Sequence, residues 1–389
     1  MKLILILMIM LLLLAQQVLM MARFKCEPSL DKLIFVHVFK CGGSTIRRIL
    51  RSYSRMCTIS LATLTECDDP TNPNNELYST KNIPCKLKDF YLPSNSDFES
   101  ERSILTRSTK EKIRNPHIKF INNFAIIQGH LRFGMNGLPL PSSQSSSTIS
   151  VNKYITWLRN PLSMVLSASV YILSKNQGKD LSENEMYHEI FNDLESRLHA
   201  KKHIISSSSF YSMYANYFIY DSGVSLKNNS SIEVVQLIKN NLNQFEIVGM
   251  LENHKVSIVM LRLLLDENLN IDPSFWKSAI QIERNTVKDQ SKSRVSSIDV
   301  MNRLKKRPKK WLKIISLLKY EYDIYEHGVN LHIKYCEYLL NNKKQRFMNF
   351  LTKIPEYANI TNPCSLFRNE YDEKYNYMTL LREAEIASR

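Results

Sequence analysis

What the sequence lacks narrows its chemistry before anything it contains. It has no Cys-x-x-Cys pair and no His/Cys cluster at zinc-ligand spacing, which argues against a structural metal. It shows no internal repeat and no long block of one charge sign. None of the usual nucleic-acid-binding motifs is present, so no nucleic-acid partner is expected. Acidic residues are in short supply, 37 against 52 basic ones for a net charge of +15. That excess suits an anionic ligand, a nucleic acid or an acidic membrane surface, and by itself does not choose among them. A hydrophobic content of 44% with 23% charged residues belongs to a globular chain rather than a disordered one. At 389 residues there is room for one large domain or two ordinary ones.

One long apolar run stands out. Leu3 to Ala22 is interrupted only by Gln16 and Gln17, with Lys2 before it and Arg23 and Lys25 after it. That is about the length that spans a bilayer. A cleavable signal peptide is the alternative reading, because Leu3 to Ala15 is the purest apolar stretch. No small-x-small cleavage site follows it, which favours an uncleaved signal anchor. Flanking charges lie on both sides and orient it weakly. Glycosylation sequons at Asn228, Asn229 and Asn359 favour a lumenal C-terminal part. There are seven cysteines. Setting aside Cys41, which sits in a glycine turn, leaves Cys26, Cys57, Cys67, Cys85, Cys336 and Cys364, an even set for an oxidising compartment.

The stretch around which the chain is organised runs from Phe35 to Leu50. Leu33 to Val38 is apolar and β-branched enough for a short buried strand. Gly42 and Gly43 follow, flanked by Lys40 and by Ser44 and Thr45. Ile46, Ile49, Leu50 and Tyr53 then recur at helical spacing. Strand, glycine turn and helix start, in that order, wrap backbone N–H groups around an anion at a helix N-terminus. A plain strand-to-helix turn is the other reading. The nucleotide-triphosphatase motif is excluded, because its Lys follows the glycines and Lys40 precedes them. No Mg²⁺-binding acidic motif accompanies the turn, which disfavours a kinase.

After an excursion from Cys57 to Lys112 read as irregular, Phe124 to Ile127 is a second core strand ending at Gly129 and His130. Lys153 to Arg159 is a third, followed by Asn160, Pro161 and a helix with Leu162, Val165, Leu166, Val170 and Leu173 on its apolar face. Pro161 suits the first helical position, where its missing N–H costs nothing. Arg159 then emerges at the edge of an α/β sheet, the usual ligand crevice. Ser163 and Ser167 share a helix face away from the apolar stripe. Arg159 and Ser167 together can clasp a phosphate, the one with a charged fork and the other with a hydroxyl. Alternatively Arg159 caps the sheet edge and Ser167 is a surface residue. From Trp311 to Leu340 a long helical pattern closes the domain.

These junctions resemble a known family. Phe39-Lys40-Cys41-Gly42-Gly43-Ser44-Thr45 is similar to the 5′-phosphosulfate loop of Golgi carbohydrate sulfotransferases, and Arg159 with Ser167 to their 3′-phosphate motif. The nearest likeness is to the galactose-3-O-sulfotransferases, which include galactosylceramide sulfotransferase. It is carried by Leu158 to Met164 with Ser167, Ala168 and Tyr171; by His130 to Phe133; by Asn216 to Gly223 with Val248 to Glu252; and by Asp323 to His327. Cys41 departs from the family's usual Thr.

The resemblance implies a P-loop-like α/β sulfotransferase fold, with a central, mostly parallel sheet flanked by helices. It implies sulfonate transfer from 3′-phosphoadenosine 5′-phosphosulfate (PAPS), without a metal, to a galactose hydroxyl, the 3-hydroxyl in that family, on a glycolipid or glycoprotein glycan. Lys40, Cys41, Gly42, Gly43, Ser44, Thr45, Arg159 and Ser167 would bind the donor. Lys40 would stabilise the leaving phosphate, and His130 would take the acceptor's proton. His37 is the second candidate base. The implied organisation is a signal anchor over 1–23, a short stem over 24–32, a catalytic domain over 33–345 and a peripheral tail over 346–389, anchored in the Golgi membrane as a type II protein with its catalytic part lumenal. A heparan or uronyl sulfotransferase, or a lumenal nucleotide- or glycan-binding protein without catalysis, would carry the same donor motifs.

Overall fold

The computed structural model describes residues 32–65, 85–92, 113–114, 117–134, 138, 152–176, 184–185, 187–192, 213–218, 231–266, 271, 273–281 and 296–388. The expected anchor, and all of the expected stem except Lys32, lie outside the described residues. Among those described, no helix is long and apolar enough to cross a membrane.

The chain forms an α/β unit on a seven-stranded sheet of order β4-β3-β2-β5-β1-β6-β7. The strands are β1 (Lys32–Val36), β2 (Leu61–Thr65), β3 (Lys86–Tyr91), β4 (Ile113–Arg114), β5 (Ile126–Gly129), β6 (Asn152–Leu158) and β7 (Ile247–Met250). Neighbours from β2 through β5, β1 and β6 to β7 are parallel. β3 and β4 add antiparallel strands at one edge. Leu33, Ile34, Phe35 and Val36 of β1 are wholly buried. That accounts for their unbroken apolar run, since an inner parallel strand faces core on both sides.

β2 and β3 fall inside the stretch read as irregular. Leu61-Ala-Thr-Leu-Thr65 is short and polar residues interleave it, so it is a strand because of its place beside β5 rather than its own pattern.

The first helices are α1 (Gly43–Met56), α2 (Ile118–Asn122) and α3 (Pro161–Asn176). In α1 the residues Ile46, Ile49, Leu50 and Tyr53 are buried, as their spacing requires. In α3, Leu162, Val165 and Leu166 are buried while Ser163 and Ser167 are half-exposed. Asn160 caps α3, its side-chain oxygen accepting the Ser163 N–H at 3.2 Å. There follow α4 (Met213–Phe218), α5 (Ser231–Leu242), α6 (His254–Leu265), α7 (Pro273–Gln281) and α8 (Ser297–Lys305).

The long pattern expected from Trp311 to Leu340 is two helices, α9 (Pro308–Leu317) and α10 (Lys319–Asn342). The break falls at Leu318, which is itself wholly buried. Both helices bury their faces in the same core, so the periodicity runs through the joint and no Gly or Pro marks it. α10 packs on β7, α3 and α5.

Residues 346–389, set apart above as a tail, contain most of α11 (Lys344–Leu351) and all of α12 (Pro363–Lys374) and α13 (Tyr377–Ser388). Phe347, Leu351, Phe367, Tyr371 and Ala384 from these helices are buried in the common core. A disulfide between Cys336 and Cys364 ties α12 to α10, and Cys57 and Cys85 are disulfide-bonded as well.

The topology makes one crevice. From β1 the chain goes to β2 and β5 on one side, then crosses to β6 and β7 on the other. Ligands in open α/β sheets bind at such a reversal, outside the carboxyl ends of the strands. Lys40 follows β1 there, His130 follows β5, Arg159 follows β6 and Glu252 follows β7.

Candidate active site at the carboxyl edge of the sheet

The turn after β1 is built from backbone conformations that only some residues tolerate. Lys40 has φ of 62° and Gly42 φ of 77°, both left-handed. No side chain caps α1, and its first turn holds no acidic residue. The helix therefore begins with N–H groups and a positive dipole end directed at whatever occupies the crevice. Gly43 is needed for space. A Cβ there would lie 1.7 Å from the His37 ring. Ser44 is exposed and Thr45 buried.

Lys40 and Arg159 meet across the crevice. The Arg159 guanidinium donates to the Lys40 carbonyl at 3.2 Å. The Lys40 ammonium lies 4.5 Å from the centre of the Tyr171 ring, a cation–π contact. Among the described residues, no carboxylate forms an ion pair with either cation. Burial, and then the Arg159 charge, push the Lys40 ammonium below the usual lysine range. Two cations drawn together, neither ion-paired among the described residues, suit an anion site.

Ser167 falls on the same side. Met164 and Tyr171 of α3 both touch the turn, the former through the Cys41 thiol and the latter through Phe39 and Lys40. Ser167 lies between them on that helix face.

Cys41 is the exception among the expected donor-binding residues. It is wholly buried, its thiol reaches the Met164 sulfur at 3.5 Å, and its N–H is taken by the Val38 carbonyl. Burial pushes the thiol up, so it stays protonated. The residue packs the turn and has no surface to offer a ligand. A hydroxyl at this position would point into the core, so the departure from Thr removes no contact on the crevice side.

His130 stands at the end of β5 with an assigned tautomer. Its Nδ1 lies 3.0 Å from the His37 carbonyl, an acceptor only, so Nδ1 carries the proton and Nε2 the lone pair. Nε2 has no protein partner among the described residues. The Tyr217 hydroxyl lies 3.3 Å from the same Nδ1, and the His37 ring stacks on His130 at 4.2 Å. Burial, with Arg47 as the next cause, pushes the His130 imidazole down to about 4. It is therefore neutral at pH 7. His37 is pushed well below the ordinary value by burial first, then by His130 and Arg47. It is only 5% exposed, which suits support of His130 better than contact with an acceptor.

Glu252, Tyr214 and Tyr217 support the site and were not singled out as functional from the sequence. One Glu252 oxygen accepts the Asn160 N–H at 2.8 Å, and the other accepts the Tyr325 hydroxyl at 2.9 Å. Burial raises this carboxyl, while the Asn160 N–H, the Arg159 charge and Tyr325 hold it down. The Tyr214 hydroxyl donates to the Arg159 carbonyl. The backbone on both sides of the Arg159 side chain is thus fixed by α4, by α10 and by the turn after β7. Tyr217 and Glu252 lie in segments that carry the family likeness, and that was the available signal.

No protein-family model matches the chain, and comparison with curated proteins finds none detectably similar in sequence.

Proposed function

We propose that this protein is a PAPS-dependent carbohydrate sulfotransferase that transfers a sulfonate group to a galactose hydroxyl, the 3-hydroxyl by family likeness, of a glycolipid or glycan. The observation that carries the reading is the direct contact of Arg159 with the Lys40 turn, which gathers two cations at an uncapped helix start with neither ion-paired to a carboxylate among the described residues. A donor with phosphate at both ends fits that arrangement.

In this reading the N–H groups at the start of α1, with Ser44 and Thr45, hold the 5′-phosphosulfate. Arg159 and Ser167 hold the 3′-phosphate. The chemistry the donor supplies is an activated sulfur–oxygen bond. Lys40 meets the charge that grows on the bridging phosphate oxygen as that bond breaks, where one such contact is worth about 10²–10³ in rate. His130 accepts the acceptor hydroxyl's proton at Nε2, and its Nδ1–H bond to the His37 carbonyl steadies the imidazolium formed. Holding both reactants in line supplies the rest.

The disulfides support an oxidising compartment. Together with the apolar run from Leu3 to Ala22, they support a Golgi-membrane protein anchored at its N-terminus with the catalytic part lumenal. The test is labelled PAPS offered with galactosylceramide, lactosamine and heparan acceptors, alongside calorimetry with adenosine 3′,5′-bisphosphate. Label on a galactose hydroxyl supports the reading; no binding of the bisphosphate overturns it.

A further inference from the structure

Arg47 is a half-buried cation for which the donor site has no use. It lies one helical turn beyond Gly43 on α1, on the same face. Gly43 packs against the His37 ring, and His37 stacks on His130. Arg47 thus flanks the base on the side of β5, β2 and β3, whereas Arg159 approaches from β6.

The next arginine on that face, Arg51, is held by Asp89 of β3 at 2.6 Å. Among the described residues no carboxylate is paired with Arg47. Lys88, beside Asp89, is exposed and likewise has no carboxylate partner among them. Both cations act on His130 and help keep it neutral. A half-buried guanidinium without a counter-ion is destabilising by itself, and two cations beside a base weaken it. An anion arriving with the substrate would relieve both conditions.

We propose that Arg47 forms a recognition subsite for a negative charge on the acceptor, so that the hydroxyl presented to His130 belongs to an acidic saccharide bearing a carboxylate or a sulfate ester on the same or the adjoining sugar. This deepens the sulfonate-transfer reading and rests on it. The guanidinium fork suits either group, binding two oxygens at once. The same anion, bound beside the imidazole, strengthens His130 as a base in the complex that reacts. A neutral galactoside would leave Arg47 unpaired and His130 weak.

The experiment uses the purified full chain, labelled PAPS and matched acceptor pairs. One pair is a uronate-bearing galactoside and its carboxyl-reduced counterpart. The other is a sulfated galactoside and its desulfated counterpart, which separates the two possible anions. The wild-type protein is expected to prefer the acidic member of at least one pair by about tenfold or more in kcat/KM, the usual worth of a hydrogen-bonded charge. Arg47→Gln is expected to erase that preference, with the neutral member's rate unchanged or raised, because the cation that weakens His130 is gone too. Arg47→Lys should retain part of it. Equal wild-type rates on both members of both pairs overturn the proposal. So does an equal loss on both members in Arg47→Gln with binding of adenosine 3′,5′-bisphosphate intact. Should Arg47→Gln fail to fold, the wild-type ranking and Arg47→Lys decide by themselves. If the wild-type protein binds no bisphosphate and transfers no label to any acceptor, the sulfonate-transfer reading itself is lost, and this inference with it.

Discussion

The geometry of His130 sets its test at the level of single residues. Replacing it with Ala removes the lone pair at Nε2 and leaves the Lys40 turn and Arg159 where they are. Turnover should fall by about 10²–10⁴, the usual worth of a positioned base, while bisphosphate affinity by calorimetry stays within about twofold. Substantial remaining turnover would remove His130 from the base role. The pH dependence follows from the same burial. The neutral form acts, so kcat/KM, which reports the free protein, should hold from pH 8 down to about pH 5 and fall on an acid limb near 4. With anionic donor bound, the limb in kcat should move upward.

Gly43 offers a second test at this scale, since a methyl group there meets an imidazole at 1.7 Å with a helix start on one side and His130 on the other. Gly43→Ala should lower the melting temperature and the turnover together. An active, fully stable variant would show that the His37 ring can move aside. The sequence displayed the residue types of the site well and their directions poorly. Cys41 reads as part of the loop and faces the core, because the left-handed conformations at Lys40 and Gly42 turn the position between them inward.

At the scale of elements, the site is three strand-to-helix junctions held in register by parallel pairing. Val36 of β1 lies opposite Gly129 of β5 on one side and Thr156 of β6 on the other. The first two junctions are legible because glycine, Asn-Pro and helical periodicity mark them. The third, from β7 to α6, reads as a strand and a helix by its apolar pattern. Only the likeness over Val248 to Glu252 marks Glu252, and its supporting contact shows once the Asn160 N–H is found on it. Glu252→Ala would leave that N–H and the Tyr325 hydroxyl without their acceptor. It should cost about 1–3 kcal/mol in denaturant unfolding and weaken bisphosphate binding by freeing the Arg159 turn. Arg159→Lys should weaken binding too, but with stability nearly unchanged, because among the described residues its guanidinium hydrogen-bonds to a backbone carbonyl and a lysine keeps the charge. Equal unfolding midpoints for Glu252→Ala and the wild-type protein would remove Glu252 from the supporting role.

For the whole molecule, the buried histidines govern acid behaviour. Burial lowers His130, His254 and His332 to about 4, and lowers His37 well below its ordinary value as well. Their unfolded value is about 6.5, so folding favours the neutral ring. The stability they contribute is complete above that value and is lost as pH falls from about 6.5 toward 4. Each of the three at about 4 accounts for about 1 kcal/mol lost at pH 5.5. Glu252, raised by burial, acts in the opposite sense but is outnumbered by the lowered histidines among the described residues. The melting temperature should therefore drop between pH 7 and pH 5 and recover on neutralisation. A flat profile would mean that these rings reach solvent.

The C-terminal helices bear on the site from a distance in sequence. The Tyr322 hydroxyl of α10 donates to Asn160 at 3.3 Å, the Tyr377 ring of α13 packs on Tyr322, and the Tyr375 carbonyl meets the Asn160 amide at 3.5 Å. During synthesis, the grip around Arg159 cannot close until these late residues have left the ribosome. A premature stop between the end of α10 and Tyr375 would yield a chain with every donor-binding residue in place and an unfinished clasp.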